Sequence, residues 1–202
     1  MTQIEQRNTM LQDVKVVNEE DAMVVEGYAL QWDMPSHPIV TDAGAFTESF
    51  QQGAFDETLE LDEQLILYGH EMNSVLGRTE NKTAELVSDE LGLRVSVTLP
   101  NTTLGKDTFE LVKRGDLAGM SVGFIAEEDD FTYDSEGNIQ RVITKARLVE
   151  VSLVPTPAYA SSNISERTTD KLEEVVATKE EEKRMIKLKE EKRQRLILLT
   201  QL

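Results

Sequence analysis

Ser121 lies in Gly119-Met120-Ser121-Val122-Gly123, a G-x-S-x-G spacing that in α/β-hydrolases sets a nucleophilic serine on a strand-to-helix turn. A serine hydroxyl attacks a carbonyl only when a neighbouring base removes its proton, and the histidines available are His37 and His70. Both precede the serine, whereas α/β-hydrolases carry their histidine after it. The residues that follow, Val122-Gly123-Phe124-Ile125-Ala126, alternate like a strand and run into Glu127-Glu128-Asp129-Asp130. The nucleophile-elbow reading is therefore rejected, and the expected chemistry is that of an enzyme whose base precedes its serine. Gly119 and Gly123 have two readings: close approach of a substrate backbone, or relief of crowding in a tightly coiled barrel.

His70 ends the apolar run Leu65-Ile66-Leu67-Tyr68-Gly69 and so sits where a buried strand reaches a surface cleft. His37, in Met34-Pro35-Ser36-His37-Pro38, reads as an exposed loop residue. A histidine base needs a partner that fixes its tautomer and stabilises the imidazolium. The candidate is Glu150, the acid inside the strand-like Arg147-Leu148-Val149-Glu150-Val151-Ser152-Leu153, where a carboxylate is costly unless paired. An outward-facing carboxylate, or one paired with Arg147, stays open as an alternative. Oxyanion donors are backbone amides or a positioned arginine, with Arg147 a candidate.

The elements that must hold these groups are mostly strands. In Leu93-Arg94-Val95-Ser96-Val97-Thr98-Leu99 every odd position is apolar, the period of a strand with one buried face. Met23 to Trp32, Leu65 to His70, Met120 to Ala126 and Val142 to Val154 read the same way from their β-branched and aromatic content. Helices are predicted over Phe46 to Leu59, interrupted near Gly53, and over Thr103 to Lys113, stopped by Gly115. This is a mainly β chain with helices (α+β), expected as an antiparallel barrel or sandwich with helices outside it. After the turn-rich Pro155 to Asn163 the sequence becomes dense Lys, Arg and Glu without Gly or Pro and reads as one long helix. It is either a mobile charged tail or a helix that docks on a partner. The expected organisation is an N-terminal segment 1–20, a catalytic domain 21–162 and a helical tail 163–202.

Composition narrows the partners. A net charge of -17 disfavours nucleic acid, whose phosphates need a concentrated positive field. The absence of cysteine removes disulfides and thiolate chemistry, and two histidines cannot form a three-histidine zinc site, so no metal or cofactor is expected. No apolar run reaches membrane-spanning length and the N-terminus lacks the apolar stretch of a signal peptide, so no membrane partner and an intracellular protein are expected.

Several blocks, in order, resemble the prohead maturation proteases of tailed bacteriophages. They are Tyr68-Gly69-His70, Val75-Leu76-Gly77-Arg78-Thr79, Glu110 to Phe124 around Ser121, and Leu148-Val149-Glu150-Val151-Ser152-Leu153-Val154 with Pro157-Ala158-Tyr159. Gly27-Tyr28-Ala29 and Gly53-Ala54-Phe55 match further blocks, so the resemblance spans roughly Val24 to Ser162. It implies a β-barrel ringed by helices, as in herpesvirus maturation proteases, and a catalytic set of His70, Ser121 and Glu150. It also implies a serine endopeptidase that cleaves scaffold regions of the major capsid protein, and itself, inside the immature capsid in the host cytoplasm. Related viral proteases point to a homodimer, and self-cleavage near Pro157 to Ser165 would release the tail. The chain departs from the family pattern at Gly69, commonly Asn or another polar residue, and at Glu71, commonly Asp. Two rivals are a non-catalytic assembly or scaffold protein on the same fold and a serine esterase or amidase for small molecules.

Overall fold

The computed structural model describes residues 3–10, 12–19, 22–155 and 164–200. Residues 156–163, with the Pro157-Ala158-Tyr159 block and all but Ile164 and Ser165 of the Pro157 to Ser165 stretch expected to be self-cleaved, lie outside them.

Two sheets share one core. The larger contains β1 (Glu5–Met10), β10 (Gly119–Tyr133), β11 (Ile139–Val154), β5 (Gly44–Phe50) and β4 (Ile39–Thr41) in that order. At its C-terminal end β11 also pairs with β6 (Leu65–Tyr68), which pairs with β7 (Val75–Arg78). The smaller sheet runs β2 (Gln12–Glu19), β3 (Ala22–Gln31), β9 (Gly92–Thr98), β8 (Ala84–Ser88). In β9, Leu93, Val95 and Val97 are fully buried, as the alternation requires, and meet Met120, Val122, Phe124, Val151 and Leu153 from the larger sheet. Phe50 and Phe55 stack at 5.4 Å, and Phe50 meets Phe124 edge-on at 5.0 Å. Each such buried ring contributes roughly 1.5–3 kcal/mol.

The expected antiparallel β-barrel is not formed. The ladders run out at β1, β4 and β7 in one sheet and at β2 and β8 in the other, so neither sheet closes on itself. Nor is the larger sheet purely antiparallel, since β5 and β6 both pair with β11 in parallel. The fold is α+β, with helices flanking open sheets. The helix expected over Phe46 to Leu59 is also corrected: Gly44–Phe50 is strand β5, and only Asp56–Leu61 is helical (α1). Helix α2 (Thr103–Arg114) begins where the Thr102 hydroxyl accepts from the Gly105 amide and ends at Gly115, whose φ of +81° suits a glycine cap.

Beyond the junction, α3 (Glu166–Thr200) is a single 35-residue helix with two environments. Leu172, Val175 and Val176 pack on Ile39, Phe46 and Ile139, while Met185, Ile186 and Leu188 further along are exposed. A buried ionic cluster fastens its start. Arg141, fully buried, bridges Glu5, Glu48 and Asp129 at 2.7 Å each. Arg7 donates to the same Glu5 and Glu48, at 2.7 and 2.9 Å. From α3, the Thr168 and Ser165 hydroxyls donate to Glu5 at 2.7 and 2.8 Å, and Arg167 and Lys171 reach Asp129.

Burial alone would raise the Glu5 pKa, but hydrogen bonding and charge from Arg141, the charge of Arg7 and the Thr168 hydroxyl outweigh it and hold it down at about 2, against 4.5 unperturbed. Between these values the unfolded chain binds a proton that the folded chain excludes, so stability falls as pH falls. The contribution is complete above about pH 4.5 and lost toward pH 2, and Asp129, also lowered, acts in the same direction. Urea unfolding at pH 7, 5 and 3 is expected to show little change over the first interval and a loss of roughly 2 kcal/mol over the second.

Candidate active site

The three residues singled out from sequence come from β10, β11 and the turn after β6. On β10, Met120, Val122 and Phe124 fill the core, so Gly119, Ser121 and Gly123 point to the opposite face. On β11 the parity changes partway. Ala146 and Leu148 are core residues, yet Val151 and Leu153 are core residues too. The register explains this: Gly123 pairs with Glu150 and Phe124 with Leu148, leaving Val149 as an extra residue. Such a bulge flips every later side chain, so Glu150 and Ser152 leave the core face and join Ser121 and Gly123 on the other. Without it, a carboxylate would point among Phe and Val side chains.

His70 arrives by a tight turn. Beyond β6, Gly69 and His70 have φ of +60° and +64°, and the Glu71 amide closes on the Tyr68 carbonyl at 3.1 Å. Positive φ at both central positions is the mirror-image turn favoured by Gly and Asn, and Gly69 meets that demand at the first of them. At His70 a left-handed conformation costs about 1–2 kcal/mol, which contacts with β11 must offset. The Gly69 amide donates to the Leu153 carbonyl at 3.0 Å and the His70 amide to the Ser152 hydroxyl at 3.0 Å.

This turn sets His70 Nδ1 2.7 Å from Glu150 Oε1. The Ser152 hydroxyl donates to the other oxygen, Oε2, at 2.6 Å. Glu150 is buried and His70 about one-fifth exposed at its side chain. Glu150 is thus neither outward-facing nor paired with Arg147, whose Nε binds Asp62 at 2.8 Å on the surface. His37 is an exposed loop residue. Ser121 is directly opposite Ser152 across the β10–β11 ladder and has β1, at Asn8, on its other side. It is fully buried, and its Oγ has no hydrogen-bond partner among the described residues, His70 included. The structure therefore joins His70 to Glu150 and places Ser121 on the same face of the sheet, its Oγ bonded to none of the described residues. Among the described residues no group of three or more His, Asp or Glu is gathered to hold a metal.

Gly123 has a role that neither sequence reading anticipated. A Cβ there would lie 2.3 Å from Glu150 Oε1 and 3.1 Å from its Cδ, so the glycine makes room for the carboxylate itself. Gly123→Ala should displace the end of a flexible side chain, leaving the fold largely intact while breaking the His70–Glu150 bond. Thermal melting within a few degrees of wild type, with loss of the low-field Nδ1 proton signal of His70, is the expected outcome. Ser152 was also missed, although Glu-Val-Ser in a strand puts Glu150 and Ser152 on one face by period two.

The sequence pattern described as "Peptidase_S78: Caudovirus prohead serine protease" matches residues 12–176, ending at one of the apolar residues that seat α3 on the domain. Among solved structures, "Structure of the bacteriophage T4 capsid assembly protease, gp21" is similar at 12% identity and a TM-score of 0.49, over 77% of this chain and 97% of that one. No curated protein matches significantly. With more than half of its length matched, the chain belongs to the caudovirus prohead serine protease family.

Proposed function

We propose that this family member is a serine endopeptidase that trims scaffold regions of the major capsid protein, and its own chain, within the immature capsid in the host cytoplasm. The observation that carries the proposal is the 2.7 Å contact of His70 Nδ1 with Glu150, on the face that also holds the Ser121 hydroxyl, which has no partner among the described residues. A buried hydroxyl without a partner costs about 1–3 kcal/mol, and a catalytic role is one use that offsets such a cost. With Nδ1–H donated to Glu150, Nε2 is the ring's acceptor. His70 takes the Ser121 proton as the hydroxyl attacks a peptide carbonyl, then returns it to the leaving amine, while Glu150 stabilises the imidazolium. Water repeats the sequence to release the acyl group. Ser121 is fully covered, so turnover requires its cover to move and the His70–Ser121 bond to tighten on substrate.

The same coverage favours a second reading, an assembly protein that keeps the family fold and does no chemistry. A fluorophosphonate probe separates them: labelling of wild type but not of Ser121→Ala supports the peptidase, and an unlabelled, folded wild type supports the assembly protein. Co-expressed with the major capsid protein, the wild type should shorten that protein and itself, and Ser121→Ala should leave both at full length.

A further inference from the structure

Ser152 occupies a position that the His70–Glu150 pair alone does not require. It is fully buried, and its hydroxyl has two protein partners whose roles are fixed by chemistry. The His70 backbone amide can only donate, so Ser152 Oγ accepts it at 3.0 Å. An ionised carboxylate can only accept, so the Ser152 proton goes to Glu150 Oε2 at 2.6 Å. Glu150 Oε1 then meets His70 Nδ1 at 2.7 Å. The three contacts form a closed ring that runs from the histidine backbone through serine and glutamate back to the imidazole.

We propose that Ser152 is the positioning residue of this site. It fixes the left-handed backbone of His70 and the rotation of the Glu150 carboxylate together, and so selects the tautomer with the proton on Nδ1 and a bare Nε2. The inference rests on the reading of His70 as the base for Ser121. Without the Ser152 hydroxyl, Oε2 loses a donor and the carboxylate can turn, while the His70 amide loses its acceptor. The carboxylate and the imidazole then no longer hold one mutual geometry, and the neutral ring divides between two tautomers. Ser152 also pairs with Ser121 across the ladder, so the side chain that sets the base is registered to the strand that carries the hydroxyl.

The test compares full-length wild type, Ser152→Ala and Ser152→Thr by ¹⁵N NMR of the His70 ring nitrogens and by steady-state cleavage of a capsid-derived peptide, with circular dichroism to establish folding. Wild type and Ser152→Thr are expected to hold the Nδ1–H tautomer. Ser152→Ala is expected to show mixed tautomers and a kcat lowered by about 10- to 100-fold at nearly unchanged KM, the scale seen when the hydrogen-bonded support of a metal-binding histidine is removed. Should Ser152→Ala fail to fold, Ser152→Cys, close in size and a poor donor, takes its place. An Ala or Cys variant that keeps the wild-type tautomer, or a folded Thr variant that loses it, overturns the proposal. A tautomer that depends on Ser152 in a protein that no fluorophosphonate labels supports the ring and removes the peptidase reading instead.

Discussion

Glu150→Gln is expected to lower turnover at Ser121 by about 10⁴-fold, the scale seen when the acid of a serine–histidine pair becomes an amide, and to leave the fold intact. The substitution is isosteric, so the clearance over Gly123 is preserved. Its effect comes from where the amide must point. The Ser152 hydroxyl donates to this position at 2.6 Å and will claim the amide oxygen, which turns the NH₂ toward His70 Nδ1. A donor facing Nδ1 forces the ring proton onto Nε2, the nitrogen that has to receive the Ser121 proton. The base is then present but loaded on the wrong side. His70→Ala removes it altogether, for which about 10⁶-fold is expected when serine and histidine act as a unit. Single-turnover cleavage of a capsid-derived peptide, with circular dichroism as the control for folding, measures both. Activity of Glu150→Gln within tenfold of wild type would show that Glu150 is a structural partner of His70 only.

How much of this site could be read from sequence depends on the kind of information each part carries. His70 was legible because the chain has only two histidines, and Ser121 because of its glycine-flanked spacing; their order excludes the commonest serine-hydrolase fold. Glu150 was legible as a carboxylate among apolar neighbours. Its direction was not, since simple alternation puts it on the face of Ala146 and Leu148, and the bulge at Val149 that reverses this is set by pairing with β10. Gly123 was recognised as small, but what it makes room for lies on another strand.

The fold was lost to sequence reading where charges are buried. Strand β5 carries Phe46, Glu48 and Phe50 on its inner face, and the central glutamate hides the apolar alternation until Arg141 and Arg7 are seen to neutralise it. Glu5 and Arg7 disguise β1 in the same way. Whether sheets close is not a local property at all, because it depends on which edges find partners. The strands with apolar faces, β3, β6, β9, β10 and β11, were the ones that alternation or β-branched and aromatic content could identify.

Those buried charges carry the second large effect. Arg141→Met, which keeps much of the side-chain volume, should destabilise the protein by roughly 3–5 kcal/mol, because it leaves Glu5, Glu48 and Asp129 without their shared cation. For a chain of this size that is a fall in melting temperature on the order of 10 °C. Arg141→Lys should lose less, since an ammonium keeps the charge but cannot reproduce the fork that serves three carboxylates at once. The cluster also joins the outermost strand to the last helix: Glu5 lies on β1, Asp129 on β10, and Thr168, Arg167 and Lys171 on α3. Arg141→Met should therefore loosen β1 and the first turns of α3 before the core, seen as faster hydrogen exchange over residues 5–10 and 166–172 than over β9. β1 borders Ser121 at Asn8, so an Arg141→Met protein tested below its melting temperature should also label faster with fluorophosphonate if this strand belongs to the cover over the hydroxyl. Unchanged labelling beside faster exchange would place the cover elsewhere.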